Sequence, residues 1–161
     1  MKKICCSFML LFMLCLASNP ASLAHTADAI ALSKGQTIYV PCYSHIYAGN
    51  RELQVLLTVT ISIRNVDPQQ SITITSVDYY GTKGELIKKY LSQAVFLGPL
   101  ESTRYVIAQK DKSGGSGANF LVTWKAEKAV NPPLTESIMI GAEGQLGISF
   151  TSRGQVLTTT D

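Results

Sequence analysis

The sequence predicts an all-β domain built as an antiparallel β-sandwich, on the basis of three observations. Short segments in which apolar and polar residues alternate recur from Gln36 onward. Clusters of Gly, Pro, Asn and Asp separate these segments, as expected for strands joined by tight turns. No segment combines the length and the 3.6-residue apolar period of an amphipathic helix. Eight or nine short strands in a single domain, without an internal repeat, account for the pattern.

The clearest element is a strand predicted over residues 54–65. Its odd-numbered positions from Val55 to Ile63 are aliphatic, and its even-numbered positions from Thr58 to Arg64 are polar. Successive side chains of a strand point to opposite faces, so this alternation places one face in a core and the other towards solvent.

The next strand, predicted over residues 71–80, contains a change of phase. Its apolar residues keep one parity up to Ile74 and the opposite parity from Val77 onward. One extra residue in a strand produces such a slip, so a β-bulge is predicted here. Residues 65–70, which precede the strand, are rich in Asn, Asp and Pro and predict a turn.

Four further strands are predicted at residues 85–91, 95–97, 103–108 and 119–126. In the last of them Phe120, Val122 and Trp124 share one face. The Asn-Pro-Pro sequence at residues 131–133 interrupts the pattern, because proline lacks an N–H donor and restricts the residue before it. Residues 134–140 fit either a strand or a single helical turn.

The last two segments, residues 147–153 and 155–158, predict a hairpin that turns at Gly154. The complete pattern favours an immunoglobulin-like sandwich, which is built from short antiparallel strands with frequent turns. A small β-barrel is the alternative.

The first 24 residues have the order of a secretory signal peptide. Lys2 and Lys3 precede an apolar run at residues 4–16, and small residues follow up to Ala24. The run is shorter than the roughly 20 residues that a membrane-spanning helix needs. We therefore expect a signal peptide at residues 1–24, a lead-in at 25–33 and one β domain at 34–161, with an exported product that is periplasmic or secreted. Cleavage after Ala29 is the alternative.

The mature molecule that this cleavage predicts is nearly neutral. It retains 137 of the 161 residues and 12 of the 14 basic side chains against 11 acidic ones, a net charge of +1. Such a balance gives no basic face for nucleic acid or anionic lipid. Cys42 is the one cysteine that remains, so no intramolecular disulfide can form.

The segment around Cys42 and His45 is the most chemically varied part of the chain. In an extended segment Tyr43, His45 and Tyr47 share one face and Cys42 lies on the other, which separates the two members of the C-x-x-H spacing. A metal site would also need further ligands that the sequence does not supply nearby, so none is predicted. Cys42 is expected to be a small buried residue. The aromatic face is either structural or the lining of a ligand groove.

A glycine-rich loop at residues 110–119 is the second candidate. Its glycines and lysines could present amides and charge to an anion, through Lys110, Lys112, Ser113 and Asn119. It lacks the order of a P-loop and is followed by a strand instead of a helix. A flexible connection between strands is therefore the main interpretation.

Catalytic motifs are missing from the sequence. It contains neither a G-x-S-x-G serine motif nor an H-E-x-x-H metal motif, and no cofactor is expected. Asp78 is the only acid inside a clearly predicted strand, where it is interpreted as a solvated carboxylate that faces outward.

Several multi-residue segments resemble a known bacterial family. They are SHIY at residues 44–47, TITSVDYY at 73–80, KDKSGGSGANF at 110–120 and GISFTSRG at 147–154. Over almost the whole predicted domain the chain resembles a family of exported proteins catalogued as domain-of-unknown-function family 3124. The resemblance implies a single-domain, exported or lipid-anchored protein without an assigned activity. Members of the family often carry an aliphatic residue at the position of Cys42, which weakens any functional role for the thiol.

Together these observations predict an exported, non-catalytic β-sandwich that binds a protein, glycan or small ligand of the cell envelope. Two alternatives stay open. One is a small enzyme or metal carrier that uses His45 with Cys42 or Asp78, and the other is a structural component of the envelope. No nucleic-acid partner is expected, and no transmembrane segment is expected after removal of the signal peptide.

Overall fold

The strands follow the alternating segments of the sequence. A computed structural model describes residues 31–143 and 146–160, so the predicted signal peptide lies outside the described residues. Within those ranges the chain forms twelve strands and a 3-10 helix at Gly115–Gly117. The strands are β1 (Ser33–Pro41), β2 (His45–Ala48), β3 (Leu53–Leu56), β4 (Thr58–Arg64), β5 (Ile72–Tyr80), β6 (Leu86–Lys89), β7 (Val95–Leu97), β8 (Ser102–Ile107), β9 (Asn119–Val130), β10 (Leu134–Glu143), β11 (Leu146–Arg153) and β12 (Gln155–Thr160).

Ten of these strands form two antiparallel sheets. The first sheet has the order β12-β1-β9-β5, and both β6 and β7 pair with the remaining edge of β5. The second sheet has the order β11-β10-β4-β8, and β2 and β3 form a separate hairpin. The described strands of the two sheets do not pair with each other, so the sheets do not close into a barrel. The prediction of an antiparallel β-sandwich is confirmed.

The core lies between the two sheets. It is formed by Ile38, Val40, Ile74, Val77, Phe120, Val122 and Trp124 from the first sheet and by Val59, Ile61, Ile63, Ile107 and Met139 from the second. Burying one side chain of this size contributes roughly 1.5–3 kcal/mol to the stability of the folded state. The alternation in the sequence therefore predicts correctly which aliphatic side chains of β4 are buried.

The strand predicted over residues 54–65 is divided into β3 and β4 at Leu57. Its aliphatic side chain is fully buried, and its N–H donates to the carbonyl of Ser44 at 3.0 Å. Because β3 pairs with β2 and β4 pairs with β8 and β10, the chain changes partners at this residue. The apolar pattern continues across the break, because Val55 of β3 is half-buried and Val59 of β4 is fully buried.

The predicted β-bulge is confirmed in β5. The register between β5 and β9 shifts between Ile74 and Ser76, which leaves Thr75 as the extra residue. Its hydroxyl donates to the carbonyl of Thr123 at 3.1 Å. The bulge allows Ile74 and Val77 to be buried in the same core although their parities differ.

The prediction of a hairpin that turns at Gly154 is wrong. β11 pairs with β10 in the second sheet, whereas β12 pairs with β1 in the first, so the chain crosses between the sheets at Gly154. The Gly154 N–H donates to the carbonyl of Thr135 at 2.9 Å. Residues 134–140, for which a helical turn was the alternative, belong to β10.

Four aromatic rings connect the two sheets near the start of β9. Tyr79 stacks on Phe120 with ring centroids 4.9 Å apart, and Tyr90 contacts both Phe120 and Tyr105 at about 5.5 Å. Tyr105 belongs to β8 of the second sheet. Burial raises the pKa of Tyr90 to about 12 and raises the pKa of Tyr79 and of Tyr105 above their ordinary values, because it disfavours the phenolate.

No helix within the described residues is long and apolar enough to span a membrane.

Candidate functional site

The two segments that the sequence singles out meet at one end of the sandwich. The N–H of Cys42 donates to the carbonyl of Ala118 at 2.9 Å, and the N–H of Ser44 donates to that of Gly115 at the same distance. These bonds attach the segment that leads into β2 to the glycine-rich loop. We call this region, formed by the β2–β3 hairpin and residues 42–44 and 110–119, the His45 end.

Cys42 is a core residue, as predicted. Its side chain is fully buried among the apolar residues of the core. Burial raises the pKa of the thiol to about 12, because a thiolate would lose its hydration. At neutral pH the side chain is therefore a neutral thiol, the form that is neither nucleophile nor metal ligand.

His45 contacts the neighbouring Tyr47. Its Nε2 lies 3.2 Å from the Tyr47 hydroxyl, and the two rings meet edge to face with centroids 5.2 Å apart. The His45 side chain is 7 % exposed, whereas Tyr47 is 52 % exposed. Within the described residues the buried Nδ1 of His45 has no hydrogen-bond partner. His45 is thus a buried, hydrogen-bonded histidine at the base of an exposed tyrosine.

Tyr43 lies apart from that pair. Its ring contacts Phe150 of β11 with centroids 5.9 Å apart, and its side chain is half-buried. The predicted face of Tyr43, His45 and Tyr47 is therefore divided into a contact with the second sheet and the His45–Tyr47 pair.

Hydrogen bonds attach the glycine-rich loop to the turn that contains Thr82. Both the N–H and the hydroxyl of Thr82 donate to the carbonyl of Gly114 at 2.9 Å. In return, the N–H of Gly117 donates to the Thr82 hydroxyl at 3.0 Å. The sequence predicted a flexible connection. It could not indicate these hydrogen bonds, because Thr82 belongs to a turn far away along the chain.

Gly114 is a buried position of the loop that packs against Tyr79. A Cβ atom at this residue would collide with the hydroxyl of Tyr79. That hydroxyl also shares a 3.0 Å hydrogen bond with the Ser44 side chain. Because Gly114 has no side chain, the loop can pack directly over the buried Tyr79. The hydroxyl of Tyr79 is in turn hydrogen-bonded to Ser44, in the segment before β2.

The amides of Ser113, Gly115 and Gly117 in this loop do not form an anion cradle. The N–H of Ser113 donates to the carboxylate of Asp111, and the N–H of Gly115 donates to the carbonyl of Lys112. With the amide of Gly117 already bonded to Thr82, the three amides have internal acceptors. These three amides are therefore not directed at a common anion site.

The side chains proposed for the loop divide into two groups. Lys110 and Lys112 are exposed. The Ser113 hydroxyl donates to Asp111, and Asn119 is half-buried as the first residue of β9, opposite Pro41 and Tyr80. The two lysines are the candidates that remain available to a partner.

Asp78 does not join His45 or Cys42. Tyr79 points into the core towards Ser44, so its neighbour Asp78 faces the outer side of the same strand. In the register of β5 and β6, Asp78 lies opposite Lys89. Within the described residues no group of three or more His, Cys, Asp or Glu side chains is placed to hold a metal ion.

A buried polar pair that was not predicted from the sequence lies at the opposite end of β4. The Asn65 amide donates to the carbonyls of Gln70 and Gly98, both at 2.8 Å, and its oxygen accepts the N–H of Asp67. Asn65 and Asp67 are 2 % and 6 % exposed. We call them the Asn65–Asp67 hub. The sequence showed only turn chemistry here, because the partners Gly98 and Asn131 are distant along the chain.

The carboxylate of Asp67 completes the hub. Its Oδ1 accepts the N–H groups of Gln69 and Gln70, and its Oδ2 accepts the N–H and the side-chain amide of Asn131. Hydrogen bonds from the backbone of Gln69, Asn131 and Gln70 lower the pKa of Asp67, because they stabilise the ionised form. The hub thus joins three segments of chain around one charge.

Comparison with protein families gives a clear assignment. The family described as "Protein of unknown function (DUF3124)" matches residues 35–157. The chain belongs to this family. The match covers the whole sandwich from β1 into β12, and it confirms the family that the sequence segments resemble. The family description carries no activity.

Comparisons with individual proteins add little. No curated protein matches the chain. Among solved structures, the chain is similar to the one described as "Crystal Structure of Thermotoga maritima 1070", with a TM-score of 0.46 and 9 % sequence identity. That match covers 74 % of this chain and 92 % of the other.

Proposed function

We propose that this member of the DUF3124 family is an exported, non-catalytic binding module that contacts a protein of the cell envelope through the His45 end. The observation that carries the proposal is the β2–β3 hairpin, which belongs to neither sheet. It presents Tyr47 at 52 % and Leu53 at 64 % exposure. Exposed aromatic and aliphatic side chains beside a polar rim are typical of protein-binding surfaces.

The base of the hairpin is held in place. The N–H of Ser44 is bonded to the glycine-rich loop, and its carbonyl accepts the N–H of Leu57. A surface that is ordered before binding loses less conformational entropy in the complex. The exposed Lys110 and Lys112 of the same loop add positive charge, which favours an acidic surface on the partner.

The proposal that the protein is exported is based on its first 24 residues. Mass spectrometry of the protein from its native envelope would show an N-terminus at His25, or at Ile30 for the alternative cleavage site. A product that retains Lys2 and Lys3 in the cytoplasm would contradict export.

The binding surface can be tested by photo-cross-linking in cells. A photoreactive phenylalanine analogue at Tyr47 is expected to give one discrete protein adduct, which weakens when Leu53 is changed to Ser. The same analogue at Val106 of β8, an exposed position that is 49 % accessible, is the matched control. Equal adducts at both positions, or none at Tyr47, would remove the basis of the proposal and favour a structural role.

A further inference from the structure

A groove runs over the outer face of the first sheet, away from the His45 end. One depression of about 380 Å³ is lined by the loop before β5, by β7 and by the later part of β9. A second depression adjoins it and shares Thr73, Ala126 and Glu127. The first volume alone falls in the range of about 300–1,000 Å³ that accommodates small ligands. The larger side chains of the first depression are Gln69, Gln70, Thr73, Phe96, Glu127 and Lys128.

Phe96 provides an aromatic surface in this groove. It is the middle residue of β7 and lies opposite Thr73 of β5. Its neighbour Leu97 is buried in the core, so Phe96 faces outward and is 65 % exposed. An aromatic ring in this position can pack against the apolar C–H face of a ligand ring.

Polar side chains surround the ring with unused hydrogen-bonding capacity. Within the described residues, the side chains of Gln69, Gln70 and Glu127 have no hydrogen-bond or ion-pair partner. Amides both donate and accept, and a carboxylate accepts. Glu127 and Lys128 carry opposite charges, so this part of the groove does not select a strongly charged ligand.

The walls of the groove are fixed by the Asn65–Asp67 hub. Asn65 donates to Gln70 on the loop and to Gly98 directly after β7. Asp67 accepts from Gln69 and Gln70 and from Asn131 directly after β9. One buried pair thus connects the loop before β5 with the ends of β7 and β9, which line the first depression together with Thr73 of β5. A turn needs only local bonds, so the bonds to Gly98 and Asn131 serve to place the walls relative to one another.

We propose that this groove binds carbohydrate. The groove offers an exposed aromatic ring, neutral amides, a hydroxyl and one side chain of each charge. These groups match a molecule with C–H faces and many hydroxyl groups. An apolar peptide would leave the amides and the carboxylate without partners, which is unfavourable. The proposal concerns a different surface from the hairpin and does not depend on the partner proposed for it.

Isothermal titration calorimetry on the mature protein tests the proposal. The probes are hexasaccharides of β-linked glucose, of N-acetylglucosamine and of a uronic acid, which separate neutral, N-acetylated and acidic sugars. At least one of the two uncharged probes is expected to bind, and the uronic acid probe is expected to bind more weakly. Phe96→Ala should weaken that binding at least tenfold, whereas Phe96→Tyr should retain it and Val106→Ala, on the second sheet, should leave it unchanged.

Folding of each variant is checked by its thermal unfolding midpoint, which should be the same because Phe96 and Val106 are exposed. Failure of both uncharged probes to bind the unmodified protein at millimolar concentration would overturn the proposal. Binding that Phe96→Ala does not weaken would overturn it as well. A protein adduct formed from a photoreactive group at Phe96 and insensitive to the sugars would assign the groove to a protein instead.

Discussion

At the scale of single residues, Cys42 and Asp67 show how the surroundings of a buried group decide its ionisation. Cys42 lies among apolar side chains, so burial raises the pKa of its thiol to about 12. Asp67 is also buried, but its two oxygens accept four N–H groups, and its pKa falls below the ordinary value of 3.8. Burial without partners disfavours charge, whereas hydrogen-bond donors aimed at a carboxylate favour it.

The Cys42 thiol is expected to be unreactive in the folded protein. Because it is fully buried and neutral, an aromatic disulfide reagent at pH 8 should react with it at least a hundredfold more slowly than with the same protein in denaturant. Absorbance of the released thiolate measures both rates. Rapid reaction without denaturant would show that the segment before β2 opens readily.

Asp67 should contribute to stability at neutral pH, and this contribution should be lost at acid pH. Its pKa is lower in the folded than in the unfolded chain, so the contribution is fully present above about pH 4 and is lost as the pH falls through the folded-state pKa. Asp67→Asn should unfold several degrees lower at pH 7. Below pH 4 its thermal midpoint should fall less steeply than that of the unmodified protein. Parallel pH curves for the two proteins would contradict this assignment.

At the scale of elements, the connection between β11 and β12 decides how the two sheets are joined. The chain crosses from the second sheet to the first at Gly154, where a Cβ atom would lie 2.6 Å from Cγ2 of Ile38 and 3.1 Å from the carbonyl of Thr135. The crossing therefore requires a residue without a side chain, because its neighbours belong to β1 and β10.

Gly154→Ala is expected to lower the free energy of unfolding by about 1–3 kcal/mol, the range observed for overpacking. Gly147→Ala is the matched control, since no atom lies within 4 Å of its added Cβ, and it should change stability by less than about 0.5 kcal/mol. Urea unfolding followed by Trp124 fluorescence measures both. Equal effects of the two substitutions would mean that the contact at Gly154 relaxes without cost.

At the scale of the whole molecule, pairing between distant parts of the chain completes the fold. β1 is paired on one side with β9 and on the other with β12, and Gly35 lies opposite Thr160. The first described strand is thus held by the last. Because such contacts close long loops, the first sheet is expected to form late in folding.

Removal of residues 155–161 tests this arrangement. Without β12 the outer edge of β1 loses its partner, so hydrogen exchange of β1 amides should accelerate at least tenfold and the thermal midpoint should fall. Strand β4, which lies between β10 and β8, is the internal control and should change much less. Unaltered protection of β1 would show that its pairing with β9 is sufficient.

The sequence by itself determined the local features whose cause lies within one segment. The face of β4, the bulge in β5 and the burial of Phe120, Val122 and Trp124 follow from alternation, because period two directly reports which side chains are buried. The burial of Cys42 was predicted from its residue type, because an unpaired cysteine usually behaves as a small buried side chain.

The tertiary structure alone decided the features that depend on distant partners. The crossing at Gly154, the change of partner at Leu57, the attachment of the glycine-rich loop to Thr82 and the Asn65–Asp67 hub each rest on a hydrogen bond or contact across 13 or more residues. The same Gly, Asn or Asp that predicts a turn also suits a crossing, a close approach or a buried hub. Local composition cannot distinguish these roles, since the partner that selects one of them is brought into place only by the folded sheets.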